Sequence, residues 1–200
     1  MKLKGEAVYI DSAGVFHKVI GDGVLYDDVI LKRLKVSGKL SFDKIFCDEI
    51  TVDGKCKGGS LTAKNFSVDG KVKLDSLKVE QFFELDGKPK IGNIEADKII
   101  IESNAGLIGA VKCRKLKIFD GGNFTVGGIK FSGKLQDAED ISRINIKSID
   151  ADKVELENCA VDIVRCQDAF IGSNCAIEKL FVAGECKVAA DSTVSETIRI

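Results

Sequence analysis

The sequence predicts an all-β protein folded as a parallel β-helix, a solenoid with coils of about 16–17 residues. Three observations lead there. The tetrapeptide VDGK stands at Val52–Lys55 and again at Val68–Lys71, between the near copies VSGK at Val36–Lys39 and LDGK at Leu85–Lys88, at steps of 16, 16 and 17 residues. Within each unit apolar residues alternate with polar ones, the period-two pattern of a strand. The 200 residues include 20 Gly but one Pro (Pro89), no Trp and one His (His17). That composition suits tight, repeated turns better than the long loops of an enzyme.

The elements follow in chain order. Residues 1–28 are expected to form an N-terminal capping segment or an irregular first coil. From Val29 a frame of alternating apolar places ending in Gly-Lys fits Val29–Lys39, Ile45–Lys55 and Leu61–Lys71, and with one extra residue Leu77–Lys88. Ile94–Asn104 keeps the apolar places without the Gly, and Val111–Gly121 and Phe124–Lys134 follow. The first β-helical stretch is therefore 29–135. The frame stumbles between Cys113 and Ala151, where one coil loses a side and the next gains residues around Gln136–Asn145, so 136–148 is an irregular insertion. The coils resume over 149–200. No 3.6-residue period lasts long enough for a helix, and helical repeats need about 33 residues or more.

Aligned coils define inward columns. One runs Val29, Ile45, Leu61, Leu77, Ile94, Val111, Phe124; the next runs Leu31, Cys47, Ala63, Val79, Ala96, Cys113, Val126, with small residues at Cys47, Ala63, Ala96 and Cys113; a third runs Val36, Val52, Val68, Leu85, Ile101, Ile118, Phe131. Ile50, Phe66, Phe83, Ile99 and Leu116 are expected to form a further internal column. Each Gly-Lys marks a corner where Gly supplies a positive φ. Stacking sets a lysine column (Lys39, Lys55, Lys71, Lys88) beside an aspartate column (Asp53, Asp69, Asp86), expected to neutralise each other on a wet edge.

Seven cysteines with no C-x-x-C pair, behind a start (MKLKGEAVYIDSAG) with no secretory apolar run, read as reduced thiols in a cytoplasmic protein. Cys47, Cys113, Cys159, Cys166 and Cys175 follow the coil period and read as small core residues. Asn-Cys-Ala occurs at Asn158–Ala160 and, 16 residues on, at Asn174–Ala176. This places Cys159 over Cys175 as two free thiols, because stacked strands hold Cβ atoms too far apart for a relaxed disulfide, and puts Cys166 in register with Val182.

Function classes narrow accordingly. Thirty basic and 31 acidic residues leave a net charge of −1, which gives no sign of nucleic-acid binding. No stretch approaches the ~18 apolar residues of a membrane span. β-Helical acyltransferases and carbonic anhydrases depend on histidines, and the single His17 does not supply a zinc site. No catalytic, cofactor-binding or metal-ligating residues are expected.

The stacked coils over Val29–Ile118 and again at Ile149–Leu180 resemble bactofilins, polymer-forming bacterial cytoskeletal proteins, and most of all the longer Firmicute bactofilin-like proteins. The resemblance covers about two thirds of the chain. It implies a right-handed β-helix, self-assembly without nucleotide, no cofactor, and a scaffold that positions partner proteins yet to be identified. Right-handed crossover is also the general expectation for parallel strands. Family members usually carry Pro-rich tails, whereas this chain has one Pro, and the sequence lends membrane association no support. The expected partner is the protein itself, through end-to-end stacking of terminal coils. Thr197, Ile198 and Ile200 at one end and Val8 and Ile10 at the other lie in alternating, strand-like stretches without a cap. The competing expectation is a β-helix enzyme or ligand-binding protein that uses a groove beside 136–145.

Overall fold

The computed structural model describes residues 7–10, 16–25, 29–120, 123–126, 129–132 and 143–200, with side chains over 32–120 and 143–200. The described elements are all strands: β1 (Ala7–Ile10), β2 (Phe16–Leu25), β3 (Val29–Glu102), β4 (Gly106–Phe119), β5 (Asn123–Val126), β6 (Ile129–Ser132), β7 (Ile144–Leu156), β8 (Cys159–Ile171), β9 (Ala176–Val182), β10 (Cys186–Val188) and β11 (Thr193–Arg199). One sheet runs β1-β2-β3-β4-β7-β8-β9-β11, with β10 paired to β8. Apart from the antiparallel β1–β2 pair, every ladder in it is parallel. The predicted parallel β-helix is the observed fold.

The register gives the coil length. Phe16 lies opposite Arg33 and Lys90 opposite Leu107, both 17 residues on; Ala160 lies opposite Ala176, 16 on; Ile144 lies opposite Cys159, 15 on. β3 alone spans 74 residues. It stays extended through several coils because its corners are made by single residues rather than loops. Gly38, Gly54, Gly70 and Gly87 hold φ values of 126°, 129°, 130° and 137°, a region that strains any residue with a Cβ. They also stack: a Cβ built on Gly54 would run into the carbonyl oxygen of Gly38, and one on Gly70 into that of Gly54. The recurrent tetrapeptide is thus a corner under two constraints, backbone angle and space.

The core is a narrow apolar filling made by the inward column residues. Ile50, Phe66, Phe83, Ile99 and Leu116 are all buried, and the Phe66 and Phe83 rings stack with centroids 5.4 Å apart at 18°, a geometry worth ~0.5–1.5 kcal/mol beyond area burial. Ala63 and Ala96 are buried, Cys47 and Cys166 with them, and Cys113 is half-buried.

Three expectations are corrected. The columns do not pass through Phe124, Val126 and Phe131. Instead Val111 lies opposite Ile149, Cys113 opposite Ala151 and Ile118 opposite Leu156, so β7 stacks directly on β4. Phe124 pairs with Phe131 and Val126 with Ile129 in a separate antiparallel hairpin of β5 and β6. A hairpin satisfies its own backbone locally. Secondly, β7 begins at Ile144 and pairs with β4, so Ile144–Ser148, expected in the insertion, stand in a strand of the main sheet. Thirdly, Lys55, Lys71 and Lys88 form no ion pair with Asp53, Asp69 or Asp86 among the described residues. Ion pairs do run between coils on other columns, such as Arg33–Glu49 at 2.9 Å, Lys64–Asp48 at 3.0 Å and Lys78–Glu95 at 3.6 Å, and Lys153–Glu155 at 2.9 Å lies within one coil. Arg114 grips Asp97 through Nε and a terminal nitrogen at 2.7 and 2.8 Å. Each glycine corner turns the chain between its Asp and its Lys, so like charges stack instead of opposite ones meeting.

Candidate assembly surface

The residues expected to mediate assembly fall at the two ends of the strand order. Val8 and Ile10 lie on β1, opposite Val19 and His17 of β2; their side chains and that of His17 lie outside the described residues. Thr197 and Ile198 lie on β11, opposite Leu180 and Phe181 of β9. The structure therefore separates the two groups along the rod and does not gather them into one site.

The β11 end is built differently from the middle of the rod. Its burial pattern never reaches a fully buried residue, whereas β7 and β8 bury an inward residue at nearly every second place. Ile198 is half-buried and Ile200 is 69 % exposed, its N–H bonded to the Val182 carbonyl at 3.3 Å. Val188, on β10, is also exposed. Among the described residues β11 has a strand neighbour on one edge only, β9. Its other edge offers unpaired backbone groups and apolar side chains together, which is what a templating edge requires.

The corners near this end use another device that the sequence held but the repeat did not reveal. Asn158 and Asn174 replace glycine, with φ of 53° and 57°, the left-handed conformation that Asn tolerates best among residues with a side chain. The Asn174 amide donates to Oδ1 of buried Asn158 at 2.5 Å, and Arg143 donates to Oδ1 of Asn174. The Asn-Cys-Ala repeat was visible for its cysteines; its asparagines are the corner. Beside them Cys159 and Cys175 are buried and unbridged. The Cys159 thiol donates to the Glu157 carbonyl at 3.0 Å and the Cys175 thiol to that of Leu156 at 3.4 Å. The hydrogen bond with Cys175 and burial together push the Cys159 thiol well above its ordinary range. Cys166 lies opposite Val182 as expected. Burial drives Cys47, Cys56, Cys113 and Cys166 up to about 12, so these thiols stay protonated and unreactive at neutral pH.

Of the stretch expected to border a ligand groove, Gln136–Ser142 lies outside the described residues. Asn145 lines an open groove of about 430 Å³ together with residues of β3, β4 and β8. Among the described residues no group of three His, Cys, Asp or Glu is placed to hold a metal ion, and no helix is long and apolar enough to cross a membrane.

Parallel coils with stacked glycine and asparagine corners, filled by aliphatic columns, make a β-solenoid. Its family follows from the sequence match: the model of the bactofilins, described as polymer-forming cytoskeletal, matches residues 28–130. The chain belongs to the bactofilin family. No curated protein and no solved structure matches it. The matched region covers all of β3, β4 and β5 and the start of β6.

Proposed function

We propose that this protein is a non-enzymatic cytoplasmic scaffold that polymerises without nucleotide, by end-to-end stacking of terminal coils, and holds partner proteins along its sides. Membership of a polymer-forming family supports self-association. The observation that carries the end-to-end mode is the β11 edge, where Thr197, Ile198 and Ile200 combine strand pairing on one side with exposed apolar surface. Val8 and Ile10 on β1 are assigned to the contact at the opposite end. Stacking another coil on β11 would extend its parallel ladder with β9, with backbone hydrogen bonds and apolar burial as the driving terms. Neither term requires nucleotide hydrolysis. A head-to-tail contact would propagate from one interface type, whereas a two-fold contact needs a second interface to continue.

The test is negative-stain electron microscopy of the purified protein over a concentration series without nucleotide. Filaments are expected, and Ile198→Lys combined with Ile200→Asp is expected to shorten or abolish them. A protein that stays monomeric at every concentration overturns the scaffold reading. Filaments unchanged in the double variant move the contact away from β11.

A further inference from the structure

Three successive coils carry a lysine on each side of one buried residue. Lys55 and Lys57 flank Cys56, Lys71 and Lys73 flank Val72, and Lys88 and Lys90 flank Pro89. All six are exposed, and none joins an ion pair among the described residues. Stacked at the interstrand spacing of about 4.8 Å, they form two parallel ladders of uncompensated positive charge. The repeat explains their regularity but not their sign, since an outward place at a corner accepts any polar residue.

The inner ladder ends in an apolar residue. Leu107 lies opposite Lys90 and is 52 % exposed, one of three large hydrophobic side chains so exposed among the described residues. Beside it the surface is hollow. A Cβ on Gly92 would strike the carbonyl oxygen of Asp75, and one on Gly109 that of Gly92, so these stacked positions are held to glycine and present bare backbone. The result is the groove of about 430 Å³, whose lining includes exposed Leu107, the buried core residues Leu74, Ile91, Ile108 and Ile146, and Lys73, Lys90 and Lys147, with Asp75 and Asp162 also on it.

We propose that this groove docks an acidic peptide segment of a partner protein, seating one apolar side chain against Leu107 while its carboxylates face the lysine ladders. The proposal deepens the scaffold reading and rests on it, because it names where a partner is held. Charge complementarity selects an anionic occupant, and exposed Leu107 selects among anions. A bilayer surface is broad and does not enter the hollow beside Leu107. A nucleic acid would satisfy the lysines, but no aromatic side chain lines the groove to stack a base. An acidic peptide with one apolar anchor meets both features at once.

Fluorescence anisotropy with the full chain tests this, using a labelled acidic peptide with a central leucine and the same peptide with glycine in its place. A single-stranded oligonucleotide of equal charge and phosphatidylglycerol vesicles serve as rivals. The leucine peptide is expected to bind, about tenfold or more tightly than the glycine peptide, with affinity falling as salt rises. Lys73→Glu with Lys90→Glu should weaken it about tenfold or more, and Leu107→Ser should erase the preference for leucine. Circular dichroism of both variants should match that of the unchanged protein, since all three side chains are exposed. No binding, equal binding of the two peptides, indifference to the substitutions, or tighter binding of oligonucleotide or vesicles each overturns the proposal. Filaments counted in the same preparations keep the two ideas apart: peptide binding lost with filaments intact sinks the groove alone, and filaments absent from the unchanged protein sink the polymer.

Discussion

Gly70 sits directly over Gly54, so close that a Cβ on the upper residue would enter the carbonyl oxygen of the lower, and both hold φ near 130°. Gly70→Ala therefore meets backbone strain and a backbone clash together. Sparsely populated φ/ψ regions cost of order 1–3 kcal/mol each, and the clash adds to that. Urea melts should show a loss of at least about 2 kcal/mol. A loss below about 0.5 kcal/mol, the scale of a neutral surface change, would mean that neighbouring coils separate freely at this corner.

Ala63 tests the small column. It is buried between coils that place Cys47 and Val79 in the same column. Ala63→Phe should overpack the wall by ~1–3 kcal/mol, read as a lower urea midpoint at unchanged slope. An unchanged midpoint would place this side chain in solvent.

The cysteines give a chemical readout of the core. Cys56, Cys159 and Cys175 are each 2 % exposed or less. Maleimide at pH 7 should leave all three unmodified over minutes and modify them rapidly in denaturant. Rapid native labelling of Cys56, whose thiol burial lifts to about 12, would contradict the packing of the coil that carries it.

Glu102 ends the acidic column of Asp53, Asp69 and Asp86. Burial and the charge of Asp86 raise its pKa. A carboxyl whose folded pKa lies above its unfolded one favours the fold when protonated, and that advantage is lost as pH rises from the unfolded pKa through the folded one. At neutral pH Glu102→Gln should therefore stabilise, by no more than about 0.5 kcal/mol at this surface position. The gain should vanish below the carboxylate range. Equal or lower stability of the variant at pH 7, measured by thermal melts at pH 3 and pH 7, would remove Asp86 and burial as its burden.

The solenoid was legible because every coil solves the same local problem. A corner needs glycine, an inward place needs an apolar side chain, and the two recur at one spacing, so a register written over Ile45–Leu116 predicts which side chains stack. The same logic found Cys159 over Cys175 and Cys166 against Val182. Asn158 and Asn174 escaped it because asparagine is common outside corners and only its φ reveals the role.

Where the chain leaves the period, local patterning carries less. Phe124–Val126 and Ile129–Phe131 alternate as well as any coil strand, and alternation cannot say whether a strand joins the stack or pairs with its neighbour. That choice rests on competition between a short hairpin, which closes a small loop, and the continuation of the ladder from β4, which β7 supplies from the far side of Phe119–Ile144. The charged columns divide in the same way. Their residues and spacing are written along the chain, but whether Asp meets Lys or stacks on Asp depends on how far a corner swings one face from the next. So does the hollow beside Leu107, which exists because Gly92 and Gly109 fall one above the other. The amino-acid order settles local conformation through backbone angles and side-chain transfer; which surfaces face one another is settled only when distant segments compete for the same strand edge.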